Sequence, residues 1–352
     1  MTRRHRAWVD LASPSHPFFF SALLDGIDSV DVTATVRKKT ETVELARNCG
    51  LEPEVVGRDF DNPVLRKLGI PARSLQLAFS SPSVDVSLSS RNAMCVLASK
   101  CNRTPSIHFT DNDITAHVDG LMAERLYTRL EASATHNVVP KSLKKSELTR
   151  WGISTDRIHT YDGMKEHVYV ADFEPEPGYI DRLPFQSDFV VIRPEALSAT
   201  YVDAERSIVP ALLERMVDIG KHVVYLPRNR DDMHSATEYP EKDVYVPPTA
   251  LNGLQLAWHA DCVLTGSGTM AREAACMDVP AVSFFPNEPL SVDRSLIDDG
   301  RIYHSRSPER IVGYTDGLSS SDVEPDRARA GEVKAEVQQL TEELVLRCST
   351  GS

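Results

Sequence analysis

The densest run of chemistry-bearing residues in this 352-residue chain is Thr265-Gly-Ser-Gly-Thr-Met-Ala-Arg-Glu273. Cys262–Thr265 is a short apolar run the size of a buried parallel strand, and Gly266, Ser267, Gly268 and Thr269 turn the chain. Residues 270–277 are strong helix formers, and residues 280–285 read as the next strand. A helix that starts on such a turn presents free amides which, with a dipole of about +0.5 charge, bind an anion. The pattern therefore predicts a phosphate on the main-chain amides of 267–269, in space that a side chain at Gly268 would fill. Glu273 stands one turn into the helix, where a carboxylate repels phosphate but accepts hydrogen bonds from a ribose diol. The bland alternatives are a common glycine turn and an acid that complements the helix dipole.

In open parallel sheets ligands collect at the carboxyl ends of the strands, so polar residues just after each expected strand are the next candidates. In the first half these are Ser13 and His16 in a Ser-Pro-Ser-His-Pro loop, Arg91 after Ser89-Ser90, and Asp111 and Asp113. An imidazole with a reference pKa of about 6.5 makes His16 a candidate general base on an acceptor hydroxyl. Asp111 is the other candidate base, and Asp113 could bind sugar hydroxyls, although acids at a helix entrance are also ordinary caps. Arg91 at a helix start opposes the dipole, which asks for another reason for its presence. In the second half Arg193 and Arg228 follow apolar strands, and guanidinium forks match diphosphate oxygens; a solvated surface is the alternative. Lys165 and Glu166 in Tyr161-Asp-Gly-Met-Lys-Glu166 either approach the site or form a surface pair. The histidines and six cysteines show no metal-ligand spacing, and the expectation is no metal.

The elements that must position these residues alternate strand and helix along the whole chain, which predicts an α/β protein with parallel, doubly wound sheets. At 352 residues two domains are expected. The proline-rich, poorly periodic stretch 171–186 is the best linker, between an N-terminal domain over 1–170 and a C-terminal domain over 187–320. Helices are expected over 61–79, broken near Gly69-Ile-Pro71, and over 205–219. A final helix in 321–352 carries Val333, Val337, Leu340 and Leu344 at helical spacing. The formal net charge of −12 argues against a nucleic-acid backbone as partner, and no apolar run is long enough to span a bilayer. A soluble, cytoplasmic protein of unknown oligomeric state is the simple expectation.

The run 265–275 with Val279-Pro-Ala-Val282 resembles the C-terminal-domain signature of GT-B proteins, the glycosyltransferases and related nucleotide-sugar 2-epimerases. The chain also resembles, over nearly its whole length, an archaeal and bacterial GT-B-like family without an assigned reaction. The residues that carry this are Asp10-Leu-Ala-Ser-Pro-Ser-His16, Phe19-Phe20, Thr110-Asp-Asn112, residues 161–166 and Val191-Ile-Arg-Pro194. The resemblance implies two Rossmann-like domains facing a cleft, with the last helix packing back on the first domain. It implies that the 266–269 turn cradles a diphosphate, Glu273 holds the ribose, and no metal or separate cofactor is needed beyond the nucleotide-sugar donor. The leading expectation is a glycosyltransferase acting on an unknown sugar or lipid acceptor, with His16 or Asp111 as base and Ser13, Arg91, Asp113, Arg193 and Arg228 binding substrate. One alternative is a nucleotide-sugar 2-epimerase or hydrolase using Asp111, Asp113 and Glu124. Another is a non-catalytic nucleotide-sugar-binding protein.

Overall fold

The structure is a computed structural model that describes residues 4–38, 40–58, 63–118, 121–185, 188–197, 207–318 and 323–350. It divides into two compact units, residues 1–169 with 331–352, and residues 170–330.

The first unit is built on seven strands, β1 His5–Leu11, β2 Val30–Lys38, β3 Glu54–Arg58, β4 Val86–Ser90, β5 Ser106–Phe109, β6 His136–Pro140 and β7 Ile158–Tyr161. They form one parallel sheet in the order β3-β2-β1-β4-β5-β6-β7. The crossovers carry α1 His16–Leu24, α2 Thr40–Asn48, α3 Pro63–Ser80, α4 Ala93–Cys101, α5 Ile114–His117, α6 Met122–Ala132 and α7 Ser146–Thr149. After β7 comes α8 Lys165–Val170. Strands buried on both faces need no alternation, and β4 is buried at all its positions. The order reverses between β1 and β4, the position at which open α/β sheets take their ligands. The backbone of α3 stays helical through Gly69 and Pro71, where the sequence suggested a break. Buried Arg73 and Leu77, one turn apart, anchor its second half. The first residues of that expected helix lie outside the described residues.

The second unit repeats the design with β8 Phe189–Arg193, β9 His222–Tyr225, β10 Val244–Tyr245, β11 Cys262–Thr265, β12 Ala281–Ser283 and β13 Ile302–His304. All pairs are parallel, in the order β10-β9-β8-β11-β12-β13, with the reversal between β8 and β11. Its helices are α9 Val209–Asp218, α10 Arg230–Met233, α11 Gly253–His259, α12 Gly268–Ala275, α13 Ser291–Asp298 and α14 Pro308–Asp316. The start of the helix expected over 205–219 lies outside the described residues. Val190, Ile192, Leu212, Met216, Leu264 and Phe284 are fully buried in one cluster beneath this sheet.

The stretch 171–186, read from composition as a linker, belongs to the second unit and is packed on α11. The Phe173 ring lies 5.8 Å from that of Trp258, and Gln255 bonds both Glu174 O and the Glu176 amide. Gln186 is outside the described residues. The last helix, α15 Ala328–Thr350, buries Val333, Val337 and Leu344 completely. Its Gln338 carboxamide donates to the carbonyls of Ala22 and Leu23 at the end of α1, and Ser29 bonds Glu342 at 2.6 Å. Among the described residues no helix is long and apolar enough to cross a membrane.

Candidate functional site

The second unit has an open cavity of about 550 Å³ at the carboxyl ends of its strands. That is within the range of small-molecule sites. Arg193 at the end of β8 forms one wall, and Pro247 to Leu251 after β10 form another. Ser267, Thr269, Met270 and Glu273, on the turn after β11 and the first turns of α12, form a third. The first amide bonded inside α12 is that of Ala271, to Ser267 O at 3.2 Å. The amides of Gly268, Thr269 and Met270 are thus the orphan donors that every helix start leaves. The Ser267 amide is already used, donating to Thr265 Oγ1 at 2.9 Å, so it is not one of the phosphate donors the sequence suggested.

Gly266 and Gly268 are both held to glycine by close protein neighbours. A Cβ on Gly266 would lie 2.6 Å from the Cα of Glu195, so this glycine lets β11 approach the main chain after β8. A Cβ on Gly268 would lie 2.9 Å from an Arg272 guanidinium nitrogen and 3.4 Å from Asp293. It would press on this buried 2.7 Å ion pair, a neighbour that the expectation of a phosphate there did not include. The Arg272–Asp293 pair spans 21 residues and leaves no local pattern in the sequence. Arg228 also departs from expectation. Its Nε donates to Pro194 O at 2.8 Å, tying down the loop after β8, and its neighbours Leu226 and Pro227 line the cavity instead. The same loop is held by buried Glu195, which accepts from Ser207 at 2.6 Å and Arg306 at 3.2 Å.

In the first unit the loops at the carboxyl ends of β1, β4 and β5 carry the predicted residues. His16, first residue of α1, is buried, and its Nδ1 accepts the Ala12 amide at 3.1 Å. Burial, and next the Lys165 ammonium, push its imidazole down to about 3, so the ring is neutral with its proton on Nε2. In that tautomer Nε2 donates, which makes His16 a hydrogen-bond donor and not the base suggested by its ordinary pKa. Asp111, after β5, is buried with its Oδ2 3.4 Å from Lys165 Nζ. Ser13 lies in the β1–α1 loop, its Oγ 3.4 Å from that of Ser15.

Arg91 is held in ion pairs within the first unit, and Asp113 faces a histidine. Arg91 holds a left-handed backbone (φ 41°) and gives its guanidinium to Glu131 and Glu124, with Tyr127 stacked beside it. It ties α6 to the end of β4, which answers why a cation stands against the dipole. Asp113 faces His117 at 3.2 Å and lines a small cleft with Glu131 and Arg150.

The buried groups set an acid limit on stability. Burial, and next Arg91, lower His108 to about 3, whereas burial raises Glu131 to about 7. Between the ordinary values near 4.5 and 6.5 the unfolded chain binds two protons on His16 and His108, and the folded chain binds one on Glu131. The unfolded state therefore holds one proton more, and two more below about 4.5, so stability falls as pH falls. Half-buried His136, His159 and His304, lowered mainly by burial, act in the same sense. A urea midpoint at pH 5 equal to that at pH 7 would contradict this.

Two parallel, doubly wound α/β units, each with one reversal of strand order, are the parts of a GT-B type architecture. The chain belongs to the family described as Protein of unknown function (DUF354), whose model matches residues 5–340. It is 31% identical over 128 residues to an uncharacterized protein of Methanocaldococcus jannaschii, a match that spans only 36% of either chain. Among solved structures it resembles the UDP-N-acetylglucosamine 2-epimerase from Rickettsia bellii, with TM-score 0.74 and 14% identity, over 98% of this chain and 97% of that one. It also resembles the M. jannaschii UDP-GlcNAc 2-epimerase in complex with UDP-GlcNAc and UDP, with TM-score 0.68 and 12% identity over 96% and 99% of the two chains. A third likeness is to the glycotransferase of kitacinnamycin, with TM-score 0.61 and 11% identity over 98% and 99%. At these identities the likeness is one of fold.

Proposed function

We propose that the cavity of the second unit binds the nucleoside diphosphate of a nucleotide-sugar, and that the protein transfers the sugar to an acceptor hydroxyl. The observation that carries this reading is the order of groups along one wall. The orphan amides of α12 come first, with Arg193 also lining the cavity, and Glu273 stands a turn further in beside Thr269. Amides and guanidinium suit the diphosphate, and the carboxylate suits the two ribose hydroxyls. The structural neighbour in complex with UDP-GlcNAc and UDP supports the same ligand class.

On the acceptor side Asp111 is the base in this reading, with His16 donating from Nε2. Transfer to a hydroxyl needs one base, whereas epimerisation at C2 needs both an acid and a base around the sugar. Glu124 and Glu131 are both engaged by Arg91, and Asp111, beside Lys165 at the carboxyl end of β5, is the carboxylate this reading uses for transfer. The second reading, a nucleotide-sugar 2-epimerase, is favoured by the epimerases among the structural neighbours. Incubation with UDP-GlcNAc separates the two. A 2-epimer formed with no acceptor present supports the epimerase, product that appears only with an acceptor supports the transferase, and binding without turnover leaves a nucleotide-sugar-binding protein.

Glu273→Ala is expected to weaken UDP binding by about 10- to 100-fold, the value of hydrogen bonds to one charged group. Calorimetry with UDP measures it, and an unchanged affinity removes Glu273 from the ribose.

A further inference from the structure

The segment Tyr161-Asp-Gly-Met-Lys-Glu166 has no part in the reading above, yet the fold fixes it tightly. It leaves β7, turns, and starts α8 at Lys165. The Asp162 amide donates to the Glu336 carboxylate of α15, at 3.1 and 3.2 Å to its two oxygens. A Cβ on Gly163 would lie 2.6 and 2.7 Å from the γ-carbons of Val333, so only glycine allows the turn to rest on that helix. The Met164 amide donates to His167 Nδ1 at 2.9 Å, which closes the first turn of α8.

The outcome of this fixing is the place of one ammonium. A lysine as the first residue of a helix opposes the dipole, so Lys165 gains nothing from its own helix. Its side chain is 12% exposed and the Asp111 side chain 7%, with 3.4 Å between Nζ and Oδ2. His16 on α1 feels both members of this pair, Glu131 on α6 feels Asp111, and Arg91 at the end of β4 acts on His16 and Glu131. Lys165 Nζ, 3.4 Å from Asp111 Oδ2, is an ammonium in ion-pair contact with that carboxylate.

We propose that Lys165 is a positioning residue for Asp111, holding that carboxylate in place as the anion at the carboxyl end of β5. The proposal rests on the reading of Asp111 as the acceptor-side base, and it makes the turn 161–164 and its seat on α15 part of that base's support. It does not require Lys165 to touch substrate.

The test is the titration of the Asp111 carboxyl carbon by NMR in the full-length protein, its signal assigned by its loss in Asp111→Asn. Lys165→Met is expected to raise the midpoint by about one unit or more, the usual effect of removing an opposite charge from a carboxylate. Lys165→Arg keeps the charge and is expected to keep the midpoint near that of the wild type. Gly163→Ala keeps the lysine but displaces the turn from Val333, and is expected to move the midpoint in the same direction as Lys165→Met. An unmoved midpoint in folded Lys165→Met, or in folded Gly163→Ala should the first not fold, overturns the proposal. So does Lys165→Arg behaving as Lys165→Met does. No sugar nucleotide enters this measurement, so its outcome is independent of whether UDP binds the second unit.

Discussion

Replacing Arg73 by methionine is expected to destabilise the first unit by about 3–5 kcal/mol, the usual loss when one partner of a buried ion pair is removed. Arg73 and Asp10 are 4% and 0% exposed, and both guanidinium contacts to the carboxylate are 2.9 Å. Asp10 also accepts from Thr35 at 2.7 Å and Asn92 at 2.7 Å, and Trp8 donates to Thr35 at 2.9 Å. The carboxylate therefore joins β1 to β2, to α3 and to the start of α4. Without the arginine it remains buried with neutral donors only. The double variant Asp10→Asn, Arg73→Met should recover much of the loss, because the uncompensated charge has gone. Urea unfolding of the wild type, the single variants Arg73→Met and Asp10→Asn, and the double variant measures this. A single-variant loss below about 1 kcal/mol would show that the pair is worth no more than a surface one.

Gly266→Ala is expected to destabilise the second unit by about 1–3 kcal/mol, as overpacking does, and also to abolish UDP binding. The new Cβ would meet the Cα of Glu195 at 2.6 Å and its amide nitrogen at 2.8 Å. Main chain on both sides cannot yield as a flexible side chain would. β8 and β11 are neighbours in register, Ile192 beside Leu264 and Arg193 beside Thr265, so any separation moves both walls of the cavity at once. Gly313→Ala in α14 is the matched control, since its Cβ would have nothing within 4 Å. Removing a helical glycine should stabilise by about 0.5–1 kcal/mol. If Gly266→Ala binds UDP like the control, the close approach of the two strands has no part in the site.

The parts of the structure that follow local rules were readable from the chain. Cys262–Thr265 as a buried run, the glycine turn after it, and the Val333, Val337, Leu340 and Leu344 stripe, of which only Leu340 is half-buried, are patterns held within a few residues. What could not be read depends on partners distant in sequence. Arg91 looked like a substrate group because its carboxylates are 33 and 40 residues away, and Arg73 meets Asp10 across 63. His16 looked like a base because burial and the Lys165 charge, which lower it, have no signature near residue 16. The proline-rich stretch 171–186 looked like a linker because its buried rings, Phe173, Tyr179 and Phe185, fit neither the helical nor the strand period.

The return of residues 331–350 to the first unit gives the chain an order of assembly. The second unit is one uninterrupted stretch, whereas the first is split around it. On a ribosome that releases the chain from its amino end, residues 170–330 can complete their own core as soon as they emerge. The first seven strands, made earlier, must wait for α15, whose Gln338 bonds the end of α1 and whose Val333 rests on Gly163, before that surface is covered. Domains usually mature in the order of their synthesis. Here the half made first is expected to be the half finished last, exposed to chaperones and proteases for the whole time the other takes to be made.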